Sequence, residues 1–314
     1  MKSLLALCIF CAPCFAESAP PLLFTQPALG KTQIVFSHAG DLWSVPREGG
    51  VAVRLTAGAG IEGNPVFSPD GADVAFRGEY EGNVDVYVVA AAGGVPRRIT
   101  YHPGADVPVA WNPDGKSILF RSTRESYSRF PKLFSVSAQG GLPAALPLPS
   151  GFSGVLSSDQ TKIAYMPIAP ANAIWKHYRG GRTTPIWIAK LADSSVAKIP
   201  NGNCNDSNPM WVNGRIIFLS DRNGSITLFS YDPESGKVDQ ILRNDGLDVK
   251  WASSFGATIA YEQFGAIHLF DVKSGQSKQV DIHLAADITD VRPSMQKVGS
   301  KITIARISPT GVFS

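Results

Sequence analysis

The chain has 314 residues, enough for one large domain or two small ones, and its 30 Gly and 23 Pro mark it as rich in turns. Hydrophobic residues make up 44% of it, which excludes wholesale disorder, and 29 Lys+Arg set against 26 Asp+Glu leave a net charge of +3, too balanced to point to nucleic acid. Beyond the N-terminus no apolar run is long enough to span a bilayer.

Met1-Lys2-Ser3 gives a short basic start, Leu4 to Phe15 an apolar stretch, and Cys14-Phe15-Ala16-Glu17 places small residues at the −3 and −1 positions of a cleavage site. Residues 1–16 therefore read as an export signal cut after Ala16, with a periplasmic or secreted product. Cleavage would remove Cys8, Cys11 and Cys14 and leave Cys204 alone, so the exported protein is expected to be stable without an intramolecular disulfide.

From there the chain repeats itself. Apolar triplets recur as Ile34-Val35-Phe36, Val74-Ala75-Phe76, Ile118-Leu119-Phe120, Ile163-Ala164-Tyr165, Ile216-Ile217-Phe218 and Ile259-Ala260-Tyr261, spaced by 40, 44, 45, 53 and 43 residues. A second apolar set follows each, from Leu42-Trp43 to Ile267-His268-Leu269. Ser68-Pro69-Asp70-Gly71 and Asn112-Pro113-Asp114-Gly115 suit type I turns, and Gly49-Gly50, Gly93-Gly94 and Gly140-Gly141 mark a second hairpin turn per unit. Each unit reads as four strands A to D, exemplified by Pro65 to Ser68, Asp73 to Arg77, Asp85 to Val89 and Arg97 to Thr100, with no long helix pattern anywhere. Repeats of this length with four short strands are the signature of an all-β propeller with TolB/WD-like repeats. With Leu22 to Gln26 as the first A strand, six blades fill residues 17–286. Residues 287–303 read as a connector, and Ser308-Pro309-Thr310-Gly311 repeats the A–B turn, so 304–314 read as the start of a second propeller. No N-terminal strand completes the last blade, which predicts a ring sealed only by side-chain packing.

Two long B–C segments carry a more specific signal. The third unit has Ser122-Thr123-Arg124-Glu125-Ser126-Tyr127-Ser128-Arg129-Phe130, and the fourth Trp175-Lys176-His177-Tyr178-Arg179-Gly180-Gly181-Arg182-Thr183-Thr184-Pro185-Ile186-Trp187-Ile188. With Val291-Arg292-Pro293 and the closing Ile307 to Gly311, they resemble the N-terminal six-bladed propeller of tricorn proteases and their exported bacterial homologues, over roughly residues 22–314. The resemblance implies a continuation into a seven-bladed ring, a PDZ-like domain and catalytic domains bearing a serine nucleophile and a histidine. It also implies oligopeptides and the chain's own C-terminal domains as partners, and a homohexamer. TolB-like and prolyl-oligopeptidase-type propellers share the Asp-Gly turns, so a protein-binding ring or the gate of an α/β-hydrolase stays open.

Catalytic chemistry is not legible within the 314 residues. His38, His102, His177, His268 and His283 have no recurring acid or nucleophile beside them, and Gly151-Phe152-Ser153-Gly154 falls one residue short of a nucleophile elbow. Gly58-Ala59-Gly60-Ile61-Glu62-Gly63 matches a dinucleotide fingerprint but no helix follows, so it reads as a D–A connection. No Cys, His or carboxylate grouping has metal-ligand spacing, no cofactor is expected, and Cys204 reads as a loop residue. Trp43, Trp111, Trp187, Trp211 and Trp251 read as packing between blades.

Topology points to the candidate site. In a four-stranded meander the B–C loops and D–A connections share one end of the ring, so the two longest B–C loops emerge together. They bring Arg121, Arg124, Arg129, Lys176, Arg179 and Arg182 near Tyr127, Phe130, Trp175 and Tyr178. Guanidinium groups can hold a carboxylate bidentately while rings cover an adjacent apolar group, which is the chemistry of a peptide C-terminus. Arg124, Arg129, Arg179, Arg182 and Tyr178 are therefore the candidate substrate-binding residues. The competing expectation is that the same loops pack on a neighbouring domain or subunit.

Overall fold

The computed structural model describes residues 23–58, 60–126, 130–171, 175–284, 297 and 299–301. The predicted export signal, the segment 304–314, nearly all of the predicted connector, and Tyr127 and Arg129 lie outside them.

Six antiparallel sheets follow one another along the chain. Blade 1 comprises β1 (Thr25–Leu29), β2 (Gln33–His38), β3 (Asp41–Pro46) and β4 (Gly50–Arg54), and blade 2 β5 (Gly63–Phe67), β6 (Asp73–Gly78), β7 (Asp85–Ala90) and β8 (Arg97–Arg98). Blade 3 comprises β9 (Asp106–Trp111), β10 (Ser117–Ser122), β11 (Lys132–Ser137) and β12 (Ala144–Ala145), and blade 4 β13 (Ser153–Leu156), β14 (Lys162–Met166), β15 (Trp187–Lys190) and β16 (Val196–Lys198). Blade 5 is β17 (Asp206–Val212), β18 (Arg215–Ser220), β19 (Thr227–Tyr231) and β20 (Val238–Gln240); blade 6 is β21 (Val249–Phe255), β22 (Thr258–Gln263), β23 (Ala266–Asp271) and β24 (Ser277–Gln279), followed by β25 (Ile282–Leu284).

The triplets form the B strands, and period-2 alternation makes each strand serve two interfaces. Val74 and Phe76 join a cluster with Val35 and Leu42 of blade 1, whereas Ala75 joins one with Ile118 and Phe120 of blade 3. The same division continues around the ring, so the hydrophobic core consists of six layers, one between each pair of neighbouring blades. No blade buries both of its faces alone.

Two expectations need correction. The first A strand is Thr25–Leu29 rather than Leu22 to Gln26. A bulge between Thr25 and Ala28, with Gln26 at φ 53, carries the strand through Pro27, and Gly30 N–H donates to Gln33 O to make the following turn. Asn64 and Asn208 take the same left-handed conformation before Pro65 and Pro209 in β5 and β17, so the bulge is a repeated device.

The second correction concerns closure. β25 leaves blade 6 and pairs in parallel with β4, matching Ile282 to Gly50 and Leu284 to Ala52, so blade 1 has five strands. Gly50 N–H donates to Asp281 O at 2.8 Å, and Phe24 N–H to Gly265 O at 2.9 Å. Main-chain hydrogen bonds therefore reinforce the packing of Ile282 and Val280 against Ala52 and Val45.

Gly49 makes this closure testable. It has φ +97, and a Cβ there would lie 2.5 Å from Asp281 O; Gly93, in the matching turn of blade 2, has φ +94 and open space around it. Gly93→Ala is expected to cost the left-handed strain of about 1 kcal/mol, and Gly49→Ala about 1–3 kcal/mol more from the collision. Denaturant unfolding of both variants reads the difference, and equal losses would show that the closing strand is not seated as described.

Candidate functional site

The B–C end of the ring is built on buried aspartates, each answered by a cation. In blade 3, Asp106 opens β9 and is fully buried. Arg124 folds back over the end of β10: its Nε donates to Ser122 Oγ at 3.3 Å, its Nη2 to Asp106 Oδ2, and its guanidinium lies 5.1 and 5.5 Å from the Phe120 and Phe134 ring centres. Blade 5 repeats the arrangement. Arg222 Nε donates to Ser220 Oγ at 3.0 Å, Nη2 donates to both Asp206 oxygens at 3.0 Å, and the group sits over Phe218 and Phe229. Burial pushes the Asp106 and Asp206 carboxyls above the ordinary range despite these arginines. Blades 1 and 2 use an Arg-x-Thr in strand D instead: Arg54 pairs with Asp41, Arg98 with Asp85 at 2.6 Å, and Thr100 donates to Asp85 at 3.1 Å.

Cys204 lies inside the blade 5 arrangement. It is buried, its thiol donates to Asn201 O, and burial beside Asp206 raises its pKa to about 11, which makes it an inert packing group rather than a nucleophile. Among the described residues no group of His, Cys, Asp and Glu could hold a metal ion. His268 stacks on Tyr261 with centroids 4.9 Å apart, and burial lowers its pKa.

The long insert of blade 4 reaches over its neighbours. Arg179 Nη1 donates to Asp221 Oδ2 at 2.6 Å in blade 5, and Asn205 Nδ2 donates to Tyr178 O at 2.9 Å. Lys176 pairs with Asp248 at 3.3 Å, at the threshold of blade 6. Trp175 and Tyr178 stack at 5.6 Å, and Arg182 lies 5.9 Å from the Trp175 ring. Among the described residues Arg182 has no carboxylate within ion-pair distance, and it is exposed.

Of the five candidate residues, Arg129 is outside the described residues. Arg124 and Arg179 are already paired with Asp106 and Asp221. Half-buried Tyr178 and exposed Arg182 both approach the Trp175 ring on the insert. Arg121, expected on a B–C loop, instead lies within β10 and lines a central channel of about 370 Å³ with Pro65, Pro108 and Pro209. Trp111, Trp211 and Trp251 also line that channel. The buried acids Asp106, Asp206 and Asp221 escaped sequence reasoning, although Ser122-Thr123-Arg124 and Ser220-Asp221-Arg222 repeat a Ser-x-Arg pattern that signals the arrangement.

Known proteins share this architecture. The family model described as the tricorn protease N-terminal beta propeller domain matches residues 21–276. The chain belongs to that family. Tricorn protease homolog 1 of Streptomyces coelicolor is 28% identical over 285 residues, which is 88% of this chain and 26% of the relative. This propeller chain thus spans about a quarter of that relative's length. A crystal structure of the tricorn protease superposes with a TM-score of 0.75 at 23% identity, covering 83% of this chain and 26% of that one. TolB from Acinetobacter baumannii shares the fold with a TM-score of 0.54 at 19% identity, over 69% of this chain and 53% of its own.

The pairing pattern separates cations that hold the tricorn-type propeller together from those that do not. Arg124→Ala leaves Asp106 buried without its partner and is expected to cost about 3 kcal/mol. Arg182→Ala is expected to stay within about 0.5 kcal/mol of the parent. Denaturant unfolding distinguishes the two, and equal stabilities would mean that Arg124 does not hold the blade.

Proposed function

We propose that this chain is the non-catalytic propeller portion of an exported tricorn-like serine peptidase, guiding or anchoring oligopeptides at its B–C end and docking the protein's other domains. One observation carries the reading: the blade 4 insert, held to Asp221 and Asp248 by Arg179 and Lys176, presents Arg182 with stacked Trp175 and Tyr178 at that end. A guanidinium with its donors free can grip a terminal carboxylate while adjacent rings cover an apolar side chain. Arg129, on the neighbouring loop of blade 3, is assigned the same role. The Met1 to Ala16 pattern supports export. The same ends of the loops suit a neighbouring subunit, and assembly as a hexamer belongs to the proposal through the family resemblance.

A TolB-like protein-binding ring without a peptidase is the second reading, favoured by the shared fold with TolB.

Intact-mass analysis and peptide hydrolysis on the protein isolated from its source test the proposal. The expected result is a polypeptide that continues past Ser314 and cleaves oligopeptides, with Arg129→Ala and Arg182→Ala each raising KM roughly tenfold and leaving kcat unchanged. A polypeptide ending at Ser314 with no peptidase activity would overturn it in favour of the binding ring.

A further inference from the structure

One position recurs in every blade directly after the B-strand triplet: Ser37, Arg77, Arg121, Met166, Leu219 and Glu262. Period-2 alternation turns it toward the next blade, as the middle residue of the triplet is. Met166 packs in the cluster shared with blade 5 and Leu219 in the one shared with blade 6. Glu262 accepts the Gln26 N–H of blade 1 at 3.0 Å, and Ser37 donates to Gln26 Oε1. Four of the six positions are thus matched by what they face.

The two arginines are not. Arg121 makes one long hydrogen bond, from Nη1 to Phe152 O of blade 4 at 3.4 Å, and its guanidinium lies 4.2 Å from the Phe152 ring centre. It has no carboxylate within ion-pair distance among the described residues, whereas Arg124 and Arg222 at the blade 3 and blade 5 B–C ends both do. Burial, with repulsion from Arg77 adding to it, pulls its pKa down to about 10. Arg77 has Glu79 at 3.8 Å on the surface side, and its buried Nε has no partner. The propeller does not need a cation here, since blade 4 fills the same position with Met166.

We propose that Arg121 forms a carboxylate-binding site in the central channel, separate from the Arg182 cluster on the insert. The channel around Arg121 has a volume of about 370 Å³, within the range of small-ligand sites, and its walls mix apolar residues such as Leu29 and Met210 with polar ones such as Asn64 and Asn208. Partial removal from water strengthens a guanidinium–carboxylate pair, and the forked donors fit the planar anion. The ligand class is a carboxylate, borne by a short peptide or by a small organic acid. The site belongs to this chain alone and stands whether or not the chain is part of a peptidase.

Calorimetric titration of the chain with N-acetyl-trialanine as the free acid, with the same peptide as its amide, and with sodium acetate tests the assignment. The free acid is expected to bind, the amide to bind roughly tenfold more weakly or not at all, and Arg121→Met to lose the difference while Arg215→Ala, an exposed arginine paired with Asp232 away from both sites, keeps it. Acetate binding as tightly as the peptide acid would identify a small organic acid as the ligand, and weaker acetate binding a peptide, both upholding the site. Equal binding of acid and amide, or an Arg121→Met variant that binds like the parent, would overturn it. Arg121→Met is expected to unfold at or above the parent's denaturant midpoint, because it removes a desolvated charge; a clear drop would show that Arg121 holds the blades together and would overturn the proposal independently.

Discussion

Everything in this molecule depends on closing a ring of wedges that cannot stand alone. Each blade leaves one apolar face for its neighbour on either side, so six blades yield six core layers only if the last meets the first. The chain achieves this by running past its final blade and laying β25 beside β4, where three parallel residue pairs and the Gly50 to Asp281 hydrogen bond hold the two ends. The pleat then fixes what each B strand presents to the next blade. That includes which positions at the end of the strand face an apolar layer and which face the channel.

The B–C end of the ring follows from a second constraint, the expense of burying charge. Asp41, Asp85, Asp106, Asp206 and Asp221 are buried at the B–C end, and an arginine meets each of them. This pairing makes most of the basic surface structural. Among the described arginines of that end it leaves Arg182 on the blade 4 insert and Arg121 inside the channel with no carboxylate within ion-pair distance.

The sequence makes the architecture easy to read because the propeller repeats. Triplets, Gly turns and spacings mark six blades, and the B strands fall where Val74-Ala75-Phe76 and its copies predict. Closure is harder to see, because a three-residue strand paired in parallel to a residue more than 200 positions earlier leaves no local pattern. The first A strand was displaced by a bulge at Gln26, a residue type that rarely takes positive φ, so nothing in the local sequence announces it. The site suffers from a different ambiguity. Sequence marks Arg124 and Arg182 alike as basic loop residues, and only the acid that faces each one tells a staple from a ligand group. The copies Ser122-Thr123-Arg124 and Ser220-Asp221-Arg222 contain that information, since a feature shared by two blades serves the blade.

The most direct measurement is a crystal structure of the chain grown with a free-acid tripeptide. The account predicts carboxylate density within hydrogen-bonding distance of the Arg121 guanidinium, with Arg124 still on Asp106 and Arg222 still on Asp206. A carboxylate held instead by Arg124 or Arg222, with Asp106 or Asp206 displaced, would contradict the division between structural and available cations.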